Sequence, residues 1–323
     1  MYITKKMLNK ELQKKYWILK LIAFMMSNYW GIKLINKFSR IRKGADIKGI
    51  DCEEIYIPSR CGNNKIRVRI FKPLNSTEKL PGMLYIHGGG YLTGIPEFFL
   101  DVMKRFIEAK PCVIVSPDYR LALEAPFPAA FDDCYDTLLW LKENSEKIGA
   151  IPNNFIVAGH SAGGGLTAAV SLKARDSEDV HIAFQMPIYP MLDDRQLTHA
   201  ASNSNAPVWN SISNNYAWNQ YLKDFKEKNM DIPFYAAAAR ANDYSKLPPA
   251  ITLVGDLDLF LDETIVYVEN LKNAGIPVEF KLFKGCFHAF DIIVPEAKIS
   301  KDAWFFLLNS YSDYIDKYIK IND

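Results

Sequence analysis

The sequence predicts an α/β fold: an eight-stranded, mostly parallel open sheet, covered by helices on both faces and closed over by a helical cap. Three observations carry that prediction. From residue 83 onward, short apolar runs alternate with longer helical patterns. Nearly continuous apolar strands are what a sheet buried on both faces requires. Ahead of them, two β-branched runs flank a short polar turn, the pattern of an antiparallel hairpin. Two segments, 1–45 and 190–245, break the rhythm, and a segment as long as the second is seldom a bare loop.

The apolar stretch 16–35 contains Lys20, Asn28 and Lys33, so its longest uncharged run, 21–32, is too short to span a bilayer. It is expected as an amphipathic helix packed on the body, with an interfacial helix or a weak signal sequence as competing readings. Residues 53–58 and 65–71 form the hairpin, turning at Gly62-Asn63-Asn64. The remaining strands are expected at 83–86, 112–116, 155–158, 182–186, 251–254 and 278–283. Helices are expected at 97–109, 129–147, 161–174, 262–273 and 297–318. The insertion 190–245 carries one helical pattern, at 213–222. With the N-terminal helices it is expected to fold over the C-terminal edge of the sheet, where open α/β sheets bind ligands. The expected division is therefore N-terminal cap helices (1–45), a core (46–189 and 246–323) and a cap insertion (190–245).

Composition narrows the function. With 39 basic and 37 acidic residues, the chain offers no global attraction for nucleic acid. Basic residues do crowd the front, at Lys5, Lys6, Lys10, Lys14, Lys15 and Lys20. The cysteines are Cys52, Cys61, Cys112, Cys134 and Cys286, odd in number and without metal-ligand spacing. They imply free thiols and a cytoplasmic location. Cys112 and Cys286 are expected as packing residues. No metal or cofactor is implied.

The chemistry begins at residues 155–165, Phe-Ile-Val-Ala-Gly-His-Ser-Ala-Gly-Gly-Gly. A strand turning sharply into a helix exposes a serine hydroxyl there, and small neighbours let the chain pass closely. Ser161 is the candidate nucleophile. It needs a base, and an imidazole is the usual one. Among five histidines, His181 begins a strand, His199 lies in the insertion without a motif, and His160 should point away from its neighbour. His87 precedes three glycines and is expected to brace that loop. His288 follows the last strand, on the edge that bears the serine, and is the candidate base. The orienting acid should lie before it in sequence. Of the four carboxylates at 256–263, Asp262 and Glu263 are explained by a helix start. Spacing leaves Asp256 and Asp258 nearly even. Finally, His87-Gly-Gly-Gly90 follows the third strand, and side-chain-free residues there can aim backbone N–H groups at a developing oxyanion, together with the N–H of Ala162.

These motifs together resemble the hormone-sensitive-lipase-like family of α/β-hydrolases. The resemblance extends through Ser116-Pro-Asp-Tyr-Arg-Leu121, Pro126-Phe-Pro-Ala-Ala130, Asp132-Asp-Cys-Tyr135 and Leu247-Pro-Pro-Ala250, over residues 64–293. It implies an α/β-hydrolase fold. It implies Asp258 as the acid, from Asp258-Leu-Phe-Leu-Asp-Glu263, and Gly89, Gly90 and Ala162 as oxyanion donors. The chain departs from the family pattern at His160, Leu123, Leu259 and Ala289. The expected reaction is hydrolysis of short to medium acyl esters through a serine acyl-enzyme. A deacetylase of an acetylated sugar or small metabolite would share every catalytic residue. A serine peptidase is disfavoured because the chain lacks a propeller-sized N-terminal domain. A non-catalytic small-molecule receptor is the alternative of another class. Tyr91, Trp209 and Tyr216 are candidate substrate contacts, and Trp218 also fits an apolar lid or a plain helical core. The expected partners are a small ester and, at most, a second copy in a homodimer, with no nucleic acid and no stable membrane span.

Overall fold

A computed structural model of the chain describes residues 2–60, 64–198, 201 and 204–320. Eight strands form one sheet: β1 (Ile50–Pro58), β2 (Lys65–Pro73), β3 (Gly82–Ile86), β4 (Val113–Asp118), β5 (Phe155–His160), β6 (Ile182–Ile188), β7 (Ala250–Gly255) and β8 (Val278–Phe283). Their order is β1-β2-β4-β3-β5-β6-β7-β8. β2 pairs antiparallel with both neighbours, and every pairing from β4 to β8 is parallel. The eight-stranded, mostly parallel sheet is thus present. The hairpin pairs Pro58 with Lys65, while the expected turn residues Gly62 and Asn63, like His199 and Cys61, lie outside the described residues.

The helices are α1 (Tyr16–Met25), α2 (Tyr29–Ser39), α3 (Leu100–Ala109), α4 (Ala129–Ile148), α5 (Ala162–Ser177), α6 (Ser211–Tyr221), α7 (Lys223–Glu227), α8 (Leu261–Asn273), α9 (Phe290–Ile293) and α10 (Lys298–Tyr318). Strand alternation sorts the core into two layers. Leu84 and Ile86 of β3 join one cluster with Leu138 of α4 and Val170 of α5. Met83 and Tyr85 join the other with Phe106 of α3 and Leu307 of α10. Residues 96–99 form a 3-10 turn, so the helix expected from 97 begins as α only at Leu100.

The stretch 16–35 is two helices, not one. The Leu12–Met25 and Tyr29–Arg42 segments meet at a 107° bend. Asn28 makes the break: its side-chain oxygen accepts the Gly31 N–H at 2.9 Å and its amide donates to Phe24 O at 2.9 Å, closing α1 and opening α2. A Cβ on Gly31 would stand 2.2 Å from Met25 O, so the bend needs glycine there. Among the described residues, no single helix is long and apolar enough to cross a membrane.

These helices pack with the segment after β6. Val208 N–H donates to Leu19 O at 3.1 Å, Ser213 Oγ donates to Ala23 O at 3.1 Å, and Lys20 reaches Asn205 O. Met26, Ile32, Trp209 and Trp218 share the cluster that includes Tyr91 and Leu92, which follow β3.

Candidate active site

Ser161 stands between β5 and α5 with φ 59° and ψ −120°, a strained conformation for a residue with a Cβ. Packing over-determines it. Ser161 N–H donates to Ile188 O at 2.9 Å, and Ser161 O accepts from Met191 N–H at 3.0 Å. A Cβ on Gly163 would fall 2.1 Å from Ile86 O, so α5 can sit this close to β3 only with glycine at that position.

His288 and Asp258 arrive from the loops after β8 and β7. His288 Nε2 lies 2.8 Å from Ser161 Oγ, and His288 Nδ1 lies 2.8 Å from Asp258 Oδ2. All three are buried. Asp258 Oδ1 accepts the Phe260 N–H at 2.9 Å, which fixes the carboxylate's orientation. Asp256 turns elsewhere and accepts the Gly285 N–H at 2.6 Å. A continuous relay from carboxylate to imidazole to hydroxyl is the geometry of general-base activation.

The loop after β3 passes beside the serine: a Cβ on Gly88 would stand 3.4 Å from Ser161 Cβ. Gly89 and Gly90 have φ of 128° and 62°. Among the described residues, no protein acceptor takes the N–H of Gly89, Gly90 or Ala162. His87 is buried, its ring stacked on Tyr119 at 4.1 Å and its Nδ1 2.9 Å from Gly88 O. Burial pushes its pKa down.

His160 is fully enclosed. Its Nδ1 lies 2.9 Å from Tyr85 Oη, and its ring meets Tyr189 edge-on at 5.4 Å. Burial, and then the neighbouring His288, push its pKa down to about 3. Tyr189 also packs against His288 at 5.0 Å and donates its hydroxyl to Asp291 Oδ1 at 3.0 Å. Burial pushes the Asp291 carboxyl up to about 6. Tyr189 and Asp291 escaped the sequence reading. The available signal was position, since Tyr189 follows β6, the neighbour of the serine-bearing strand, at the ligand-binding edge.

A cavity of about 210 Å³ opens onto Ser161 and His288. Its walls are almost wholly apolar, with Ile22 of α1 and Met26 just after it, Val208 and Trp209 from the segment after β6, and Ile292 and Ile293 from α9. Of the three proposed substrate contacts only Trp209 lines it. A Cβ on Gly90 would stand 2.2 Å from the Trp209 ring. Tyr91 is buried behind the loop, stacked on Tyr221 at 4.0 Å with its hydroxyl on Met191 O. Tyr216 is half-buried against the core cluster, and Trp218 is wholly buried within it. Both serve packing.

Other assignments also shift. Glu263 is more than a residue at a helix start: it is buried and accepts the N–H groups of Leu192 and Asp193 at 2.9 and 3.2 Å, tying α8 to the chain after β6. Burial raises its pKa well above the ordinary value. Cys286 is buried, and burial likewise pushes its thiol up, as suits a packing residue. Ala289 holds φ 58°, a left-handed conformation that a glycine would adopt more easily. Among the described residues no group of three or more His, Cys, Asp or Glu side chains could hold a metal ion.

A parallel sheet in this order, with a serine on the turn after its central strand, is the architecture of the α/β-hydrolases. A family model described as the α/β-hydrolase fold matches residues 83–292. Carboxylesterase NlhH of Mycobacterium tuberculosis is 34% identical over 242 residues, 73% of this chain and 75% of that protein. An arylesterase of Saccharolobus solfataricus is 30% identical over 70% of this chain and 73% of its own length. The solved structure of a bacterial heroin esterase superposes with a TM-score of 0.85 at 29% identity, covering 97% of this chain and 99% of that one. The chain belongs to the hormone-sensitive-lipase-like family of α/β-hydrolases.

Proposed function

We propose that the protein is a serine carboxylesterase that cleaves short to medium acyl esters. The observation that carries this reading is the pair of 2.8 Å contacts that link Ser161 Oγ, His288 and Asp258. His288 Nε2 takes the Ser161 proton as Oγ attacks the ester carbonyl, while Asp258 holds the ring through Nδ1 and stabilises the imidazolium. The negative oxygen of the tetrahedral intermediate is received by the N–H groups of Gly89, Gly90 and Ala162. His288 then protonates the departing alcohol. In the second half-reaction it activates the water that releases the acid from Ser161.

The cavity supports a small, apolar acyl group. About 210 Å³ falls below the roughly 300–1,000 Å³ of sites for drug-sized ligands. Its apolar walls would leave the hydroxyls of an acetylated sugar unpaired, which favours a simple ester over that substrate. The N-terminal helices and the segment after β6 act as the cap that supplies those walls. A reducing compartment, the cytoplasm, is supported by the free thiols of Cys52, Cys112, Cys134 and Cys286.

Ser161→Ala and His288→Ala should each lower turnover of p-nitrophenyl acetate by about 10³-fold or more. Retention of more than about one per cent of activity by either variant would overturn the assignment. A fluorophosphonate probe should label Ser161, and absence of labelling would favour a ligand-binding receptor.

A further inference from the structure

Among the described residues, the outward face of the two N-terminal helices has no partner in the fold. Trp17, Leu21 and Phe24 recur at helical spacing on α1, and Trp30, Leu34 and Phe38 do so on α2. All six are exposed, Trp17 and Trp30 at 74% and 75%. The opposite sides, with Leu19, Ala23 and Ile32, are buried against the body. Packing thus accounts for the inner stripe of each helix and leaves the outer one bare. Large apolar side chains left exposed in a row along each helix mark an interaction site.

Charge says what covers it. Residues 1–45 hold eleven lysines and arginines against a single carboxylate, Glu11. The rest of the chain carries 28 basic and 36 acidic residues. Beside α2 runs a groove of about 540 Å³ lined by Trp30, Lys33, Lys37 and Arg40, with Glu124 3.6 Å from Arg40. A second copy docked face to face would press two basic surfaces together, which costs free energy. A bilayer with anionic headgroups satisfies both features. Indole rings and aliphatic side chains enter the interfacial layer, and the exposed Lys33 and Lys37 of α2 meet lipid phosphates, while Lys15, Arg40 and Lys43 pair within the fold.

We infer that the outer face of α1 and α2 docks the protein onto anionic phospholipid membranes, lying in the interface. The inner side of the same helical segment supplies Ile22 and Met26 to the wall of the Ser161 cavity. Docking therefore sets a wall of the cavity beside lipid-dissolved esters, a consequence that rests on the hydrolase reading above.

The test is co-sedimentation of the full chain with vesicles of phosphatidylcholine, alone or with about one third phosphatidylglycerol. The wild type should sediment with the anionic vesicles and be released by high salt. The double variant Trp17→Ser/Trp30→Ser should partition about tenfold less or weaker still, with turnover of water-soluble p-nitrophenyl acetate unchanged. Should that variant fail to fold, Lys33→Glu/Lys37→Glu alters only exposed positions and should also weaken anionic binding. Three results would overturn the inference: no sedimentation with either vesicle, equal sedimentation of wild type and folded variants, or a wild-type dimer that the tryptophan variant dissociates. Inactivity of the wild type on p-nitrophenyl acetate would count against the hydrolase reading alone and leave the vesicle result standing.

Discussion

Asp256 and Asp258 share one loop, yet their carboxylates serve different partners. Asp258 faces His288 Nδ1, while Asp256 holds the Gly285 backbone. Asp258→Asn should therefore lower kcat on the order of 10³-fold or more. Asp256→Asn should keep kcat within about tenfold and loosen the 284–286 turn. Steady-state kinetics of the two variants, with urea titrations beside them, separate these effects. The sequence could name both carboxylates but not choose by spacing, because a shift of two residues in an irregular loop has no periodic signature. His160 gives a second prediction. Its folded pKa of about 3 lies below the ordinary 6.5, so between those values the unfolded chain binds the extra proton. Its contribution to stability is full above pH 6.5 and is lost as pH falls towards 3. Asp291, raised from 3.8 to about 6, acts oppositely: the folded form binds more protons in that window, and its contribution fades as pH rises. His160→Asn should thus reduce the gain in unfolding free energy from pH 4.5 to 6.5 by about 2–3 kcal/mol, and Asp291→Asn should enlarge it. Denaturant melts at the two pH values read both signs.

At the scale of elements, the buried parallel strands β3 to β7 were legible as short apolar runs between turn residues. The β1-β2 hairpin and the half-exposed β8 showed as β-branched or alternating runs beside turn residues. The N-terminal helix pair was not legible, since hydrophobicity continues unbroken through the bend. What divides the pair is the Asn28 side chain, which bonds Gly31 and Phe24 at once. Asn28→Ala should cost about 1–2 kcal/mol and speed amide exchange at the start of α2 before the sheet is affected. Exchange measured by mass spectrometry would show whether the loss stays local. Glu263 illustrates the same limit: its place at the start of α8 was readable, but its two backbone partners lie about seventy residues away in sequence.

The whole molecule joins a rigid sheet, which carries Ser161, to a cavity wall drawn from distant parts of the chain. The aromatic content of 190–245 suggested a lid, but periodicity could not tell Trp209, which lines the cavity, from Trp218, which fills the core. Trp209→Ala should therefore shift the optimum in kcat/KM along a p-nitrophenyl acyl series towards longer chains, at a stability cost of about 3–5 kcal/mol. An unchanged chain-length profile would remove Trp209 from the specificity determinants. The bonds between the N-terminal helices and the segment after β6 bear also on how the protein is made. Ser27 lies 2.9 Å from Ser213, 186 residues further along. At about 5–20 residues per second, a ribosome needs roughly 10–40 s to lengthen the chain from one to the other. Throughout that interval the most apolar helices of the nascent chain wait for the surface that will cover their inner face.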